Sequence, residues 1–444
     1  MALERFPPGP SRRLAGEGAG PSRRDSAGLL MEMAREYGDV VAFKLGRQDV
    51  VLLNHPDYVK DVLVTRHKQF LKGGPMQRAK RLLGEGLLTS EGDHHLRQRR
   101  LAQPAFHRSR LASYADATVA HASRVGTQWR DGDCVEMTGE MMRLTLGLVG
   151  QTLFGADVES EADELANAFA EALEYYSVLA WTPEAIRRFA RVRDRLDDLV
   201  YRLIDERRRD NRDRGDLLSM LLTGETMTAE QLRDELMTIF VAGHETVAGA
   251  LTWAWYLLSQ HPDAEAELHA EIDTVLHGRQ PSYDDLEQLA YTRRVLSESM
   301  RLYPPGWVIG RTALTEYEVG GYVIPAGTVV LVSQYVMHRD ARYYPDPDRF
   351  DPGRWTPTAM ATRPKHAYFP FGSGIRQCIG EGMAWMEGIL VLATLAQQWR
   401  PCLVDGHPVE PRPLVTLRPR YGLKMTLEKR DVLARAPLPH LAAC

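Results

Sequence analysis

One cysteine, Cys378, sits in the run FGSGIRQCIG at residues 371–380, among glycines 372, 374 and 380 and two positions after Arg376. A nucleophilic cysteine needs a general base close by, and the nearest preceding histidine, His366, is twelve residues upstream. A zinc site needs further Cys or His at short spacing, and Cys134, Cys402 and Cys444 are all distant. The apolar helical pattern that begins just after Cys378 puts the thiol near a helix's positive end, where peptide dipoles and free N–H groups favour the thiolate. A lone thiolate on a glycine-padded loop suits the one axial ligand of a haem whose other iron bonds come from the porphyrin. Arg376 beside it would answer a propionate carboxylate. An inert buried cysteine is the alternative.

A second polar group interrupts the longest apolar helical pattern. Ala242, Gly243, His244, Glu245 and Thr246 fall inside TAEQLRDELMTIFVAGHETVAGALTWAWYLLSQHP. A mid-helix glycine costs about 1 kcal/mol relative to alanine, and a buried polar group is costly unless partnered. Either Gly243 is a packing notch and Thr246 bonds back to its own helix, or the backbone opens a groove for a ligand, flanked by an acid and an alcohol that could relay protons. Farther along, Glu298 and Arg301 stand three residues apart, on one helical face.

The elements that would hold these groups are mainly helical. Thr228 with Gln231 forms a capping-box start for the long helix, and Pro262 stops it. Strand signals cluster near the two ends. VVAFKLGRQDVVLLN reads as a hairpin around residues 46–49, YEVGGYVIPAGTVVLV as three successive strand pieces, and LVTLRPRYGLKMTL as a further hairpin. With 444 residues, 44% hydrophobic, the chain can bury a large core, and 55 Lys and Arg against 59 Asp and Glu give no overall basicity for nucleic acid or a membrane surface. Few cysteines and an opening without an apolar signal or spanning segment point to a reducing cytoplasm and no transmembrane anchor. The expected organisation is an irregular Pro/Gly/Arg-rich segment at 1–29, one domain at 30–428 and a tail at 429–444.

Phe371, Gly374, Arg376, Cys378 and Gly380 fill a Phe-x-x-Gly-x-Arg-x-Cys-x-Gly pattern. On it the chain resembles the cytochrome P450 haem-thiolate monooxygenases, of the soluble bacterial type. AGHET at 242–246 is similar to the family's oxygen-activating segment, and ESMR at 298–301 to its Glu-x-x-Arg pair. The resemblance implies a mainly α fold with a smaller β-rich lobe, and haem b between the long helix and the cysteine loop. Cys378 would be the iron's axial ligand, with Phe371, Gly372, Gly380 and Ala384 packed about the haem. His95 and Arg99 in GDHHLRQRR, with Arg311 and Arg376, would hold the propionates. Glu298 and Arg301, completed by Arg354, would support the loop without entering the chemistry.

The implied activity is monooxygenation. Gly243 and Ala242 would make room for dioxygen, and Glu245 and Thr246 would guide two protons so that one oxygen atom leaves as water. Too little chain follows Cys378 for a flavin or iron–sulfur domain, so electrons from NAD(P)H would arrive through a separate ferredoxin or flavodoxin and its reductase. Arg97, Arg100, Arg108 and Arg376 are candidates to dock that acidic partner. The pocket positions the resemblance implies are Leu87, Leu88, Tyr175, Tyr176, Trp181, Val308, Ile309 and Leu417, a lining suited to a large apolar molecule. The wording nearest to AGHETVAGALTWAW lies in branches that hydroxylate terpenoids, carotenoids and fatty acids. A monomer that hydroxylates a terpenoid or carotenoid is expected, with a fatty acid or a macrolide as alternative substrates and a non-catalytic haem sensor or carrier as the alternative function.

Overall fold

The protein is described from a computed structural model, which covers residues 6–10, 25–156, 162–174, 182–210, 212–223 and 227–430. Its α-helices are α1 (Ser26–Tyr37), α2 (Pro56–Lys60), α3 (Gly74–Leu83), α4 (Gly92–Ala102), α5 (Arg108–Gln128), α6 (Met137–Phe154), α7 (Ala162–Glu174), α8 (Pro183–Asp210), α9 (Leu217–Thr223), α10 (Ala229–Gln260), α11 (Pro262–Leu276), α12 (Ala290–Leu302), α13 (Gln334–Met337), α14 (Pro357–Met360) and α15 (Glu381–Ala396). Its strands are β1 (Val40–Leu45), β2 (Gln48–Leu53), β3 (Phe70–Lys72), β4 (Cys134–Glu136), β5 (Ile309–Ala313), β6 (Tyr317–Val319), β7 (Tyr322–Ile324), β8 (Val329–Val332), β9 (Trp399–Leu403), β10 (Pro411–Pro413), β11 (Leu417–Pro419) and β12 (Lys424–Lys429). The expected mainly α body with a smaller β portion is what forms.

The long rod is α10. The Thr228 hydroxyl accepts from Gln231 N at 3.1 Å and the Gln231 amide oxygen accepts from Thr228 N at 3.0 Å, so both orphan donors at its start are satisfied. The helix stops at His261, just before Pro262. Its 32 residues span about 48 Å at 1.5 Å each. It packs against α6, α8, α12 and α15. One apolar cluster joins the first half of α10 to α6, α8 and α5, and another joins its second half to α11, α12 and α15. Both halves of the rod are therefore core.

The β1–β2 hairpin forms as the sequence suggests, with Gly46 at φ +62° in its turn, and β6–β7 closes through Gly320 and Gly321 at φ +58° and +85°. The three strand pieces expected next form as β6, β7 and β8, and one expectation fails, the further hairpin at 414–427. β8 leaves β7 and joins a five-stranded sheet, parallel to β2 and antiparallel to β5, in the order β1-β2-β8-β5-β3. β11 and β12 do not pair with each other: β11 pairs with β10, and β12 lies between β4 and β9. Alternation marked the strands, but the partner of each is set by which apolar face the helices leave uncovered.

One buried charge cluster ties the helical body to the cysteine loop. Arg301 donates from Nε to Glu298 Oε2 at 2.8 Å and from Nη2 to Glu298 Oε1 at 2.8 Å, and both side chains are fully buried. Arg301 also donates to the carbonyls of His338, Pro347 and Arg349. Glu298 accepts from Asp351 N and Trp355 Nε1, each at 2.9 Å, and Arg354 Nε lies 3.3 Å from its Oε1. Arg301→Ala would strand the Glu298 carboxylate without water, so it should lower unfolding free energy by about 3–5 kcal/mol. Lys44→Ala, which breaks the exposed pair with Asp49, should cost under about 1 kcal/mol. Urea unfolding of both variants measures the contrast.

Candidate functional site

The cysteine segment is a tight turn leading into α15. Cys378 N donates to Phe371 O at 2.9 Å and Gly372 N to Phe369 O at 2.9 Å, closing the loop on itself. Gly372 and Gly374 both have φ +71°, a left-handed conformation that glycine adopts at least cost. At Gly374 a Cβ would lie 2.2 Å from Leu63 O, so the loop also needs glycine to approach the turn after α2. The Phe371 ring is 5.7 Å from that of Trp385, and Ala384 N donates to Gly380 O at 2.8 Å.

Cys378 begins two residues before the Gly380 cap of α15. Its side chain is reached by solvent although it lies deep in the protein. Burial pushes its thiol up, outweighing the Gly380 N–H and the Arg99 charge that pull it down. Desolvation here thus opposes the thiolate that a helix mouth favours. Among the described residues no three His, Cys, Asp or Glu cluster to hold a metal ion. Any metal at Cys378 must therefore bring its other ligands with it.

A group of cations surrounds the end of this loop. Arg99 Nη1 donates to Gln377 O at 2.8 Å, and Arg376 donates to Ser90 O at 2.8 Å while pairing with Glu91. His95 is buried, and its Nδ1 has no hydrogen-bond partner. Burial, and next the Arg376 charge, push His95 down to about 3, Lys72 to about 7 and Arg311 to about 10. Glu91 is the acid that opposes this on Lys72, Arg311 and Arg376. Three cations that repel one another around one carboxylate, with a neutral imidazole beside them, fit a ligand that brings negative charge, as the two propionates of a haem do. The residues present thus suit that cofactor.

Sequence reasoning missed Lys72. It stands opposite Arg311 in the β3–β5 ladder, and its ammonium donates to Leu88 O. Its local signal, FLKGG, is a lysine at a strand end before two glycines, and only the strand pairing brings it to the cluster. Arg376, engaged with Glu91 and Ser90 inside the protein, is not a docking group for a partner. Arg108 is exposed and lies 3.9 Å from Glu287.

On α10 the described side chains are almost all buried, yet Ala242 is exposed and Gly243 and Thr246 are half-buried. The chain therefore leaves a notch uncovered halfway along a core helix. Thr246 Oγ1 donates to Ala242 O at 2.8 Å, which leaves its lone pairs free. The Gly243 expectation changes: a Cβ there would lie 2.8 Å from Val149 Cγ2, so its lack of a side chain makes room for α6. Glu245 is buried; it pairs with Arg418 and accepts from Thr416, and its Oε2 has no partner. Its Oε1 is engaged by Arg418 and Thr416, two side chains the sequence did not single out.

The pocket positions divide. Leu87 is buried and Leu88 half-buried, beside α10. Ile309 Cδ1 would be 3.6 Å from a Cβ on Gly372, which sets it next to the cysteine loop, and Val308, just before β5, packs against a separate cluster that includes Leu30 and Val336. Leu417 does not line open space: it is fully buried with Ala27 and Tyr335, and its carbonyl accepts from Trp253 Nε1 at 2.9 Å. Tyr175, Tyr176 and Trp181 lie outside the described residues. Gly374→Ala combines a strained φ with the clash on Leu63 O, so it should destabilise the protein by about 1–3 kcal/mol. The ratio of haem to protein absorbance after purification should fall with it.

A family model described as Cytochrome P450 matches residues 7–425. The chain is 41% identical over 399 residues to a cyclooctatin synthase of Streptomyces melanosporofaciens, covering 86% of this chain and 87% of that one. It is 37% identical over 386 residues to a cyclooctat-9-en-7-ol 5-monooxygenase of the same organism, covering 83% and 84%. It is 36% identical over 416 residues to a pentalenene oxygenase of Streptomyces avermitilis, covering 90% and 92%. Among solved structures, a mutant cytochrome P450DA haem domain superposes with a TM-score of 0.88 at 25% identity, covering 99% of this chain and 100% of that one.

Proposed function

This chain belongs to the cytochrome P450 family and is a haem b monooxygenase, and we propose that it hydroxylates a cyclic terpenoid. The observation that carries the substrate class is the similarity, over more than 80% of the chain, to enzymes named for cyclooctatin, cyclooctat-9-en-7-ol and pentalenene. Leu87, Leu88, Val308 and Ile309, the pocket positions the resemblance implies, suit it, since an apolar lining holds a hydrocarbon mainly by burial.

In this reading Cys378 Sγ would hold the haem iron, and the Gly380 N–H and the Arg99 charge favour its ionised form. His95, Arg99, Arg311, Arg376 and Lys72 would hold the propionates, which relieves the mutual repulsion of Lys72 and the three arginines and gives the His95 ring an acidic neighbour. When bound, the haem supplies the activation of dioxygen and the oxidation of a C–H bond. The chain's part is to bind and orient the substrate, exclude water and deliver protons. Thr246 Oγ1, fixed by its bond to Ala242 O, is the group that accepts and passes a proton at the notch. Glu245 would feed it through its unpartnered Oε2, after loosening from Arg418.

Electrons reach this enzyme, in the same reading, from a separate ferredoxin or flavodoxin with its reductase. No helix among the described residues is long and apolar enough to cross a membrane, which supports a cytoplasmic enzyme.

The reduced protein under carbon monoxide should show the strongly red-shifted Soret band of thiolate ligation, and Cys378→Ser should lose it. Titration with pentalenene or cyclooctat-9-en-7-ol should shift the haem toward high spin, with palmitate leaving it unmoved; the reverse pattern would replace the terpenoid reading with a fatty-acid one. Thr246→Ala should cut product formation by about 10²-fold while NAD(P)H consumption continues and peroxide accumulates. Intact coupling in that variant would remove Thr246 from the relay.

A further inference from the structure

The first turns of α10 do a second job besides packing. Asp234 Oδ2 accepts from Glu85 N at 2.8 Å, and Glu235 Oε2 accepts from Leu87 N at 3.1 Å. These two carboxyl groups, adjacent on the helix, hold the backbone of the segment that joins α3 to α4. Two glycines allow the approach. A Cβ on Gly84 would lie 2.0 Å from the Asp234 carboxyl, and one on Gly86 would lie 2.3 Å from Thr238 Oγ1. Within the segment, Thr89 Oγ1 donates to Gly84 O at 2.6 Å and Ser90 N to Gly86 O at 2.9 Å. Its far end meets the cation cluster, where Lys72 N donates to Glu91 Oε1 at 2.7 Å and Arg376 to Ser90 O. Segment 84–91 is thus tied to α10 at one end and to the cofactor cluster at the other, with Leu87 and Leu88 between.

Resting on the reading that Leu87 and Leu88 wall the substrate pocket, we propose that Asp234 and Glu235 form a carboxyl clamp, with Glu235 a positioning residue that sets the Leu87 wall against α10. Glu235, Ala242 and Thr246 fall on one stripe of the helix, because spacings of seven and four residues both return near the same face. One rod therefore carries both the notch and the clamp, so a shift in the clamped segment changes the wall's distance from the notch.

Glu235 is 1% exposed and its Oε1 has no partner. An ionised carboxylate so placed would be poorly solvated. Burial pushes Glu235 up to about 8, opposed by the Leu87 N–H and aided by Asp234. The other charged groups nearby pair with one another: Arg233 with Asp197 of α8 and with Asp234, and Lys80 of α3 with Glu85. Tyr201 of α8 lies near Asp197, Arg233, Glu230 and Asp234. An acid whose pKa is raised in the closed state stabilises closure most below its free value, near 4.5. That stabilisation declines as pH rises from there to about 8 and then levels off.

The test is amide hydrogen exchange of the haem-loaded enzyme over residues 84–91, from pH 5 to 8.5, in wild type, Glu235→Gln and Glu235→Leu. Glutamine keeps an acceptor for Leu87 N and cannot ionise. The ratio of wild-type to Glu235→Gln exchange cancels the intrinsic pH effect and should rise several-fold across that range, with tenfold per pH unit as its ceiling. Glu235→Leu should expose the segment at least about tenfold at every pH, which corresponds to losing one hydrogen bond to a buried group. It should also weaken binding of 4-phenylimidazole, read from the Soret shift, with Glu235→Gln restoring it. A flat wild-type to Gln ratio, or wild-type protection in Glu235→Leu, would overturn the clamp. If the leucine variant does not fold, the pH ratio alone decides. Because none of these readouts uses a terpene, a wrong substrate class would show in the spin-state titration and leave the clamp standing.

Discussion

The buried pair of Glu298 and Arg301 is the interaction on which the rest of the site depends. Two opposite charges with no access to water are tolerable only when every remaining donor and acceptor is used, and here they are spent on backbone. Arg301 collects three carbonyls between residues 338 and 349, and Glu298 takes the Asp351 N–H and the Trp355 indole. From there the chain of contacts runs to the cysteine loop. His338, kept neutral by burial and by the Arg301 charge, accepts from Phe369 N at 3.0 Å, while the Tyr368 and Tyr344 hydroxyls donate to Ser297 O and Ala367 O. The loop that presents Cys378 hangs from a charge cluster on α12.

The opposite wall is made by α10, and its design is different. It is held by apolar packing along most of its length, and its polar residues are each assigned to a particular neighbour. Asp234 and Glu235 hold segment 84–91, Glu245 holds Arg418 and Thr416, and Thr246 holds its own Ala242 carbonyl. A rod so fixed can keep an uncovered notch in its middle, because the helix does not depend on that point for its stability. Beside the cysteine loop the cations Lys72, Arg311 and Arg376 repel one another, and burial together with their charge keeps His95 neutral. The charge that would balance them belongs to the cofactor, so binding and assembly of the site are linked.

Much of this was legible from residue types alone. The capping box at Thr228 and the stop at Pro262 bound α10 correctly, since caps are local chemistry. The turn signal at residues 46–49 located a hairpin for the same reason, and the ladder closes it more tightly, at Gly46 and Arg47. Gly243, Leu417 and Lys72 were read poorly or not at all. Gly243 could serve a ligand or a neighbouring helix, and only the position of Val149 decides between them. Leu417 sits in an apolar stretch that looks like pocket lining, and its burial with Ala27, nearly four hundred residues away, makes it core. Lys72 looks like an ordinary strand-end lysine until β3 pairs with β5 and sets it opposite Arg311.

By itself, the sequence determined the chemistry: a cysteine with no partner cysteine or histidine, on a loop of glycines, followed by a helix, is constrained within about ten residues by backbone conformation and helix capping. The helices, the turns and the family follow from patterns of that short range. Tertiary structure alone decided which strands pair, which cations converge, where Glu245 points and what the first turns of α10 hold. Those features depend on contacts between residues 85 and 234, 72 and 311, or 245 and 418. Such contacts are selected by the shape and burial of the whole core, and no local pattern encodes the partner.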